Sequence, residues 1–294
     1  MVPSPALTAS DDTTAATPSE APPAPRWPLR LAAALPAVVL VAVCIWEIAV
    51  IVRAGDDVGS DADWDRAAAA VRADHEPGDL ITFAPRWIDP TGRLHLGDLI
   101  SLDMAGRMDG ARYGRIWELS IRGAHAPETR GLEPAWTGHF GPVTVRRFEH
   151  EPARVLSDFV SLLGTASRSG VVARVFEEVG FEPHQCVRLT PVESRGGMRP
   201  AKAVYRKVRL GQTLVGYVGI SDVFTRRDFR SPGRLRVLIG DKQVLTKRVG
   251  VRDGWMRFEI ATTPTAAATV TFVADILGDK PGRRQVCFVA EARE

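Results

Sequence analysis

The chain has 294 residues, 45% hydrophobic and 25% charged, with 38 Lys and Arg against 35 Asp and Glu and a formal charge of +3. So small a net charge, carried mainly by arginines scattered among acids, offers no basic stripe and argues against nucleic acid as a partner. No glycine-rich phosphate loop and no Gly-x-Ser-x-Gly turn occurs, so the common nucleotide-binding and serine-hydrolase signatures are missing.

Residues 1–28 are rich in Pro, Ala, Ser and Thr and poor in large apolar side chains, which predicts a disordered tail. The run from Leu29 to Val52 that follows is apolar and long enough for a helix to cross a hydrocarbon core of about 30 Å. It is longer than the apolar region of a cleavable signal and ends in Ile51, Val52 and Arg53, so residues 29–53 are expected to be an uncleaved signal anchor. Arg26 and Arg30 on the amino side, with Asp56 and Asp57 on the other, orient it by the positive-inside rule. The expectation is a single-pass cell-membrane protein with a cytoplasmic N-terminus and an extracytoplasmic carboxyl-terminal part.

A polar linker over 54–61 leads to a helix capped by Asp63, with Trp64, Ala67, Ala68 and Val71 on one face. Asp79 to Ala84 reads as a buried strand, Leu96 to Met108 as a helix, Arg115 to Ile121 and Val143 to Phe148 as strands, and Ala153 to Leu163 as a helix. This alternation predicts a small α/β, Rossmann-like layer over 62–165 with a parallel sheet. From Val171 the period shortens to nine strands separated by Gly, Pro, Asp and Ser turns. Met256, Phe258 and Ile260 alternating with Arg257 and Glu259 is the clearest case, and 171–294 is expected to be an antiparallel β-sandwich or jelly roll. The fold class is therefore a multidomain α+β chain behind one transmembrane helix.

Cys44 lies in the span, leaving Cys186 and Cys287 as a pair. On the exoplasmic side a disulfide between them is expected; the alternative is two buried thiols. Ligands of open α/β sheets sit beyond the carboxyl ends of the strands, which directs attention to the loops after Ala84 and Ile121. The first offers Arg86, Trp87, Asp89 and His95, the second Arg122, His125 and Glu128. Arginine forks and a carboxylate–imidazole pair suit an anionic or sugar ligand, or proton transfer, although loop charges also pair in solvent. His95 and Asp98 with His125 make a weaker metal set; no metal and no cofactor is expected. Trp255 falls on the polar face of its strand and either stacks on a sugar or folds over the end of the sandwich.

Asp65 to Pro85, DRAAAAVRADHEPGDLITFAP, with Trp117 on a later strand, resembles the extracytoplasmic soluble domain of polyprenol-dependent C-type membrane glycosyltransferases over about Asp63 to Ile121. The carboxyl-terminal half, with LVGYVGISD at Leu214 to Asp222, GWMRF at Gly254 to Phe258 and CFVAEAR at Cys287 to Arg293, is similar to galactose-binding-like jelly-roll modules. Those transferases work within a many-helix bundle, so one span implies a non-catalytic part beside such machinery. The leading expectation is a binding or scaffolding protein of the cell envelope, with a glycan ligand held by Arg86, Trp87, Asp89, Arg122, His125 and Trp255, and an envelope protein as a further partner. The alternatives are an envelope enzyme acting on glycans through Asp89, His125 and Arg122, and a purely structural protein–protein module.

Overall fold

The computed structural model describes residues 27–195, 197–221, 231–278 and 284–294. The tail expected over 1–28 therefore lies outside the described residues as far as Arg26, as does Asp222 at the end of LVGYVGISD. The chain divides into two compact units, Met1–Ala54 and Gly55–Glu294.

In the first unit, helix α1 (Trp27–Asp56) contains Pro36 and continues past the boundary. Its stretch Ala34–Arg53 has a mean hydropathy of 2.7 and exposes its apolar side chains all round, from Leu35 to Val52. It is long and apolar enough to cross a membrane.

The second unit begins with α2 (Asp61–Asp74). Its cap is Ser60 rather than Asp63: the Ser60 hydroxyl accepts from the Asp63 amide, and the Asp63 carboxylate accepts from the Ser60 amide at 2.9 Å, a reciprocal box that satisfies two otherwise orphaned donors. Trp64, Ala67, Ala68 and Val71 are buried as their spacing predicts. They cover a four-stranded sheet built from β1 (Leu80–Ala84), β2 (Arg115–Ser120), β3 (Pro134–Phe140) and β4 (Val143–Glu149), in the order β1-β2-β4-β3.

This sheet corrects the expectation of a parallel, Rossmann-like layer. β1 and β2 are parallel, but β4 is antiparallel to β2, and β3 returns on it as a hairpin. The expected helix Leu96 to Met108 is also broken. α3 (Asp89–Leu96) gives way to a 3-10 turn at Gly97–Leu99, and a separate short α4 (Leu102–Ala105) starts at Ser101, whose hydroxyl accepts from the Met104 amide at 3.2 Å.

Ala153 to Leu163 is not a helix either. β5 (Val155–Asp158) joins the sandwich, and the Asp158 carboxylate accepts from the amides of Val160 and Ser161, turning the chain into a 3-10 turn at Ser161–Thr165. Phe159 is driven into the sandwich core, edge-on to Tyr205 at 5.0 Å and Phe272 at 5.1 Å.

The remaining strands are β6 (Ser167–Ser169), β7 (Val171–Val179), β8 (Glu182–Thr190), a small hairpin of β9 (Val192–Ser194) and β10 (Gly197–Arg199), β11 (Ala201–Leu210) and β12 (Thr213–Ile220). They are followed by β13 (Gly233–Ile239), β14 (Lys242–Val249), β15 (Met256–Ala261), β16 (Thr265–Ile276) and β17 (Val286–Arg293). One sheet runs β14-β13-β16-β11-β6; the other runs β15-β12-β17-β8-β7, with β5 pairing on β17. Their inner faces form an antiparallel β-sandwich core that includes Leu214, Val237, Phe272 and Phe288. Cys186 on β8 and Cys287 on neighbouring β17 are both buried there, bonded through their sulfurs with Cα atoms 5.7 Å apart.

The mixed sheet and the sandwich, expected as separate domains at 62–165 and 171–294, lie within one compact unit. The Gln185 amide donates to the Gly106 carbonyl at 3.0 Å, Arg293 pairs with Asp109 at 2.8 Å, and Arg112 bridges Asp158 and Glu291. Gly106 is required at this seam, because a Cβ there would lie 2.5 Å from the Phe176 ring and 2.8 Å from the Gln185 amide nitrogen.

Candidate functional site

The seam opens into a cleft of about 670 Å³. One wall comes from the loop after β1, with Arg86, Trp87, Asp89 and Arg93, continued by Arg107 to Gly110 and by Pro127 and Glu128. The other comes from the β7–β8 turn, Val179 to His184, with Tyr217 and with Gly254 and Trp255. After β1 the chain turns at Pro85 into a 3-10 turn, Arg86–Ile88, that runs directly into α3. Ile88 is buried and fixes this segment, while Trp87 is left 55% exposed.

The β7–β8 turn supplies a residue that sequence reasoning missed. Phe181 is 68% exposed and adopts φ +72° beside Gly180 at φ +62°, the positive pair that a tight two-residue hairpin needs. An aromatic there departs from the Asn and Gly that normally occupy such turns. The signal available in the sequence was a Gly-Phe step between two strands.

Trp255 folds over the end of the sandwich, one of the two roles expected of it. It stacks on His184, with ring centroids 4.3 Å apart and planes at 14°, and more distantly on Tyr217 at 6.1 Å, closing the end of the sandwich while lining the cleft. Neither ring nitrogen of His184 nor the Trp255 Nε1 makes a well-formed hydrogen bond. Burial pushes the His184 pKa down to about 4; the charges of Arg86 and Arg107 act in the same direction, and the nearby Arg107 carbonyl acts against it.

The arginines of the cleft are paired. Arg86 meets Glu182 across the two walls, Arg93 meets Asp89 at 2.5 Å, and Arg107 meets Glu128. Asp109 is held by Arg293 from the sandwich.

Arg86, Trp87, Asp89 and Trp255 thus share one cleft. Arg122 and His125 do not line it. Arg122 lies over the Trp87 ring, 5.5 Å from its centroid, and 3.7 Å from the Asp57 carboxylate. His125 is directed at Glu118, with Nδ1 3.2 Å from Oε1. The acid–base trio of Asp89, His125 and Arg122 is therefore not assembled: Asp89 is engaged by Arg93, His125 by Glu118 and Arg122 by Asp57 and Trp87. The weaker metal set is dispersed as well, since His95 Nδ1 lies 2.9 Å from Asp65 and Asp98 takes Arg72 at 2.6 Å. Among the described residues no three His, Cys, Asp or Glu side chains are grouped to hold a metal ion.

What the cleft offers chemically is aromatic faces beside planar charge-assisted donors and acceptors, a combination suited to a ligand with both apolar C–H faces and hydroxyls. No family model matches the chain, and no curated protein matches it. Among solved structures it is similar to carbohydrate-binding modules. One is the CBM51 from Clostridium perfringens GH95 in complex with methyl-galactose, at 11% identity and TM-score 0.31, covering 45% of this chain and 98% of that one. Another is the CBM36-1 domain of a multidomain xylanase from the hindgut metagenome of Trinervitermes trinervoides, at 12% identity and TM-score 0.28, covering 44% and 91%. A third is the CBM51-2 and INT domains of Clostridium perfringens ZmpB, at 13% identity and TM-score 0.30, covering 44% of this chain and 29% of that one.

Proposed function

We propose that this protein is a membrane-anchored glycan-binding module of the galactose-binding-like type, with its Gly55–Glu294 unit outside the cytoplasm and the glycan held in the cleft between the mixed sheet and the sandwich. The observation that carries the reading is the exposure of Trp87 and Phe181 on a cleft whose remaining polar lining consists largely of arginine–carboxylate pairs. Large exposed aromatics beside ordered charge pairs suit a glycan, since sugar C–H faces stack on rings and hydroxyls bridge donor and acceptor. The apolar stretch Ala34–Arg53 and the positive flank at Arg26 and Arg30 support anchoring with the N-terminus inside. A bonded Cys186–Cys287 pair accords with an oxidising compartment.

The test is a glycan-array screen of the full-length protein in detergent micelles, followed by titration calorimetry on any hit. Binding that Trp87→Ala and Phe181→Ala each weaken by about tenfold, roughly 1.4 kcal/mol, is the expected result. Absence of binding to every glycan overturns the reading. Impermeant thiol labelling of reduced intact cells checks the orientation, with Cys186 and Cys287 labelled from outside once unfolded.

A further inference from the structure

The arginine–carboxylate matching in the cleft bears on which glycans enter it. Resting on the glycan-binding reading above, we infer that the ligand is an uncharged, hydroxyl-rich glycan and that the cleft discriminates against acidic sugars.

The lining carries three arginines, Arg86, Arg93 and Arg107, and each has a carboxylate partner that also lines the cleft: Glu182, Asp89 and Glu128. The fourth lining carboxylate, Asp109, takes two contacts from Arg293 behind the wall, at 2.8 and 3.1 Å. The remaining titratable groups of the lining are His184, buried and held neutral by that burial, and the Tyr217 phenol, whose pKa burial raises. Near the rim, the charge of Arg122 lies over Trp87 and beside Asp57. The wall is therefore polar without an excess of positive charge.

A sugar carboxylate entering this wall either displaces Glu182, Asp89 or Glu128 from its guanidinium or lies beside it as a second, unmatched negative charge. The Arg107–Glu128 pair is the least yielding, because both side chains are largely buried, at 17% and 13% exposure. A displaced Glu128 would remain beside the incoming negative charge with little water to screen either. A hydroxyl group has no such conflict. It donates to a carboxylate oxygen and accepts from a guanidinium N–H at the same time, so vicinal hydroxyls lie along an ion pair without separating it. Each guanidinium has five N–H donors, more than its carboxylate takes up. The cleft thus reads hydroxyl geometry while its pairs stay intact, and the exposed rings of Trp87 and Phe181 carry no charge preference against a neutral pyranose.

The experiment compares matched tetrasaccharides, neutral against uronic acid, in the galactose, glucose and mannose series, with the full-length protein in a non-ionic detergent at low and high sodium chloride. Expected is binding of at least one neutral member about tenfold or more tighter than its acid counterpart, with an affinity that salt hardly changes. Glu182→Gln, at the more exposed pair, should raise the affinity for the uronic acid severalfold by freeing Arg86, with the thermal melt checking that the variant remains folded. Tighter, salt-sensitive binding of the acid member overturns the inference and leaves the glycan-binding reading standing. No binding of either series, together with a blank glycan array, overturns both.

Discussion

His184 on β8 lies flat against Trp255 at the end of the sandwich, 4.3 Å between ring centroids, and both side chains line the same cleft. Burial lowers the imidazole pKa from 6.5 to about 4, so the unfolded chain binds a proton that the folded chain refuses between those values. The stabilisation is complete above pH 6.5 and is lost as the pH falls towards 4, amounting to about 3 kcal/mol over the whole window. Urea denaturation at pH 7, 6, 5 and 4 should show this decline, and His184→Phe, which keeps a ring against Trp255 but has nothing to protonate, should flatten it. An unchanged slope in the variant would assign the decline to other groups.

Phe181 occupies φ +72°, a backbone region that costs a bulky L-residue on the order of 1 kcal/mol, and the residue is 68% exposed. Phe181→Gly should therefore leave stability unchanged or raise it by up to about 1 kcal/mol while weakening glycan binding about tenfold. Parallel thermal melts and binding titrations separate the two effects. A loss of stability above about 1 kcal/mol would mean that the ring packs structurally.

The sandwich is legible because one face of each strand is buried, so Phe258 and Ile260 alternate with Arg257 and Glu259 in sequence as in space. Buried β1 is equally plain as a short continuous apolar run. β3 is not, because an edge strand that exposes Pro134, Ala135, Trp136 and Thr137 has no buried face to write a period into the chain. Val155, Leu156, Phe159 and Leu162 fit helical spacing, yet the Asx turn at Asp158 divides them between a strand and a 3-10 turn. Half of the cleft was visible as loop chemistry after Ala84. The other half comes from a hairpin 96 residues further along, where Glu182 meets Arg86, and no local pattern predicts that meeting.

Glu118 is fully buried on β2 and is held on all sides: its carboxylate accepts from the Ala126 amide at 2.7 Å, from the Thr129 hydroxyl at 2.5 Å and from Arg146 at 3.0 Å, with His125 Nδ1 at 3.2 Å. These contacts tie the loop after β2 to the sheet. Glu118→Gln keeps the shape but leaves Arg146, mostly buried, without its counter-charge, and should cost about 3 kcal/mol in urea denaturation. His125→Ala, whose ring is 55% exposed, should cost less than about 1 kcal/mol. Equal effects from the two would place the energy in the histidine contact rather than in the buried pair.

Cys186 and Cys287 are 101 residues apart in sequence, and their bond joins neighbouring strands inside the sandwich core. A crosslink closing a loop of that length restricts the unfolded chain, which in the chain-entropy view is worth about 4 to 5 kcal/mol to the folded state. Replacing both cysteines by Ala removes the link together with two small buried sulfurs. It should lower the urea midpoint accordingly, with the apolar packing of the two β-carbons kept. Single replacements leave an unpaired thiol in the core, and they should be as destabilising as the double variant under non-reducing conditions and no different from the wild type's reduced form once a phosphine reductant is added to denatured protein. Non-reducing mass spectrometry of the purified chain, with alkylation after denaturation, should label Cys44 while leaving Cys186 and Cys287 unmodified. Quantitative alkylation of all three would rule out the bond and with it this contribution to stability.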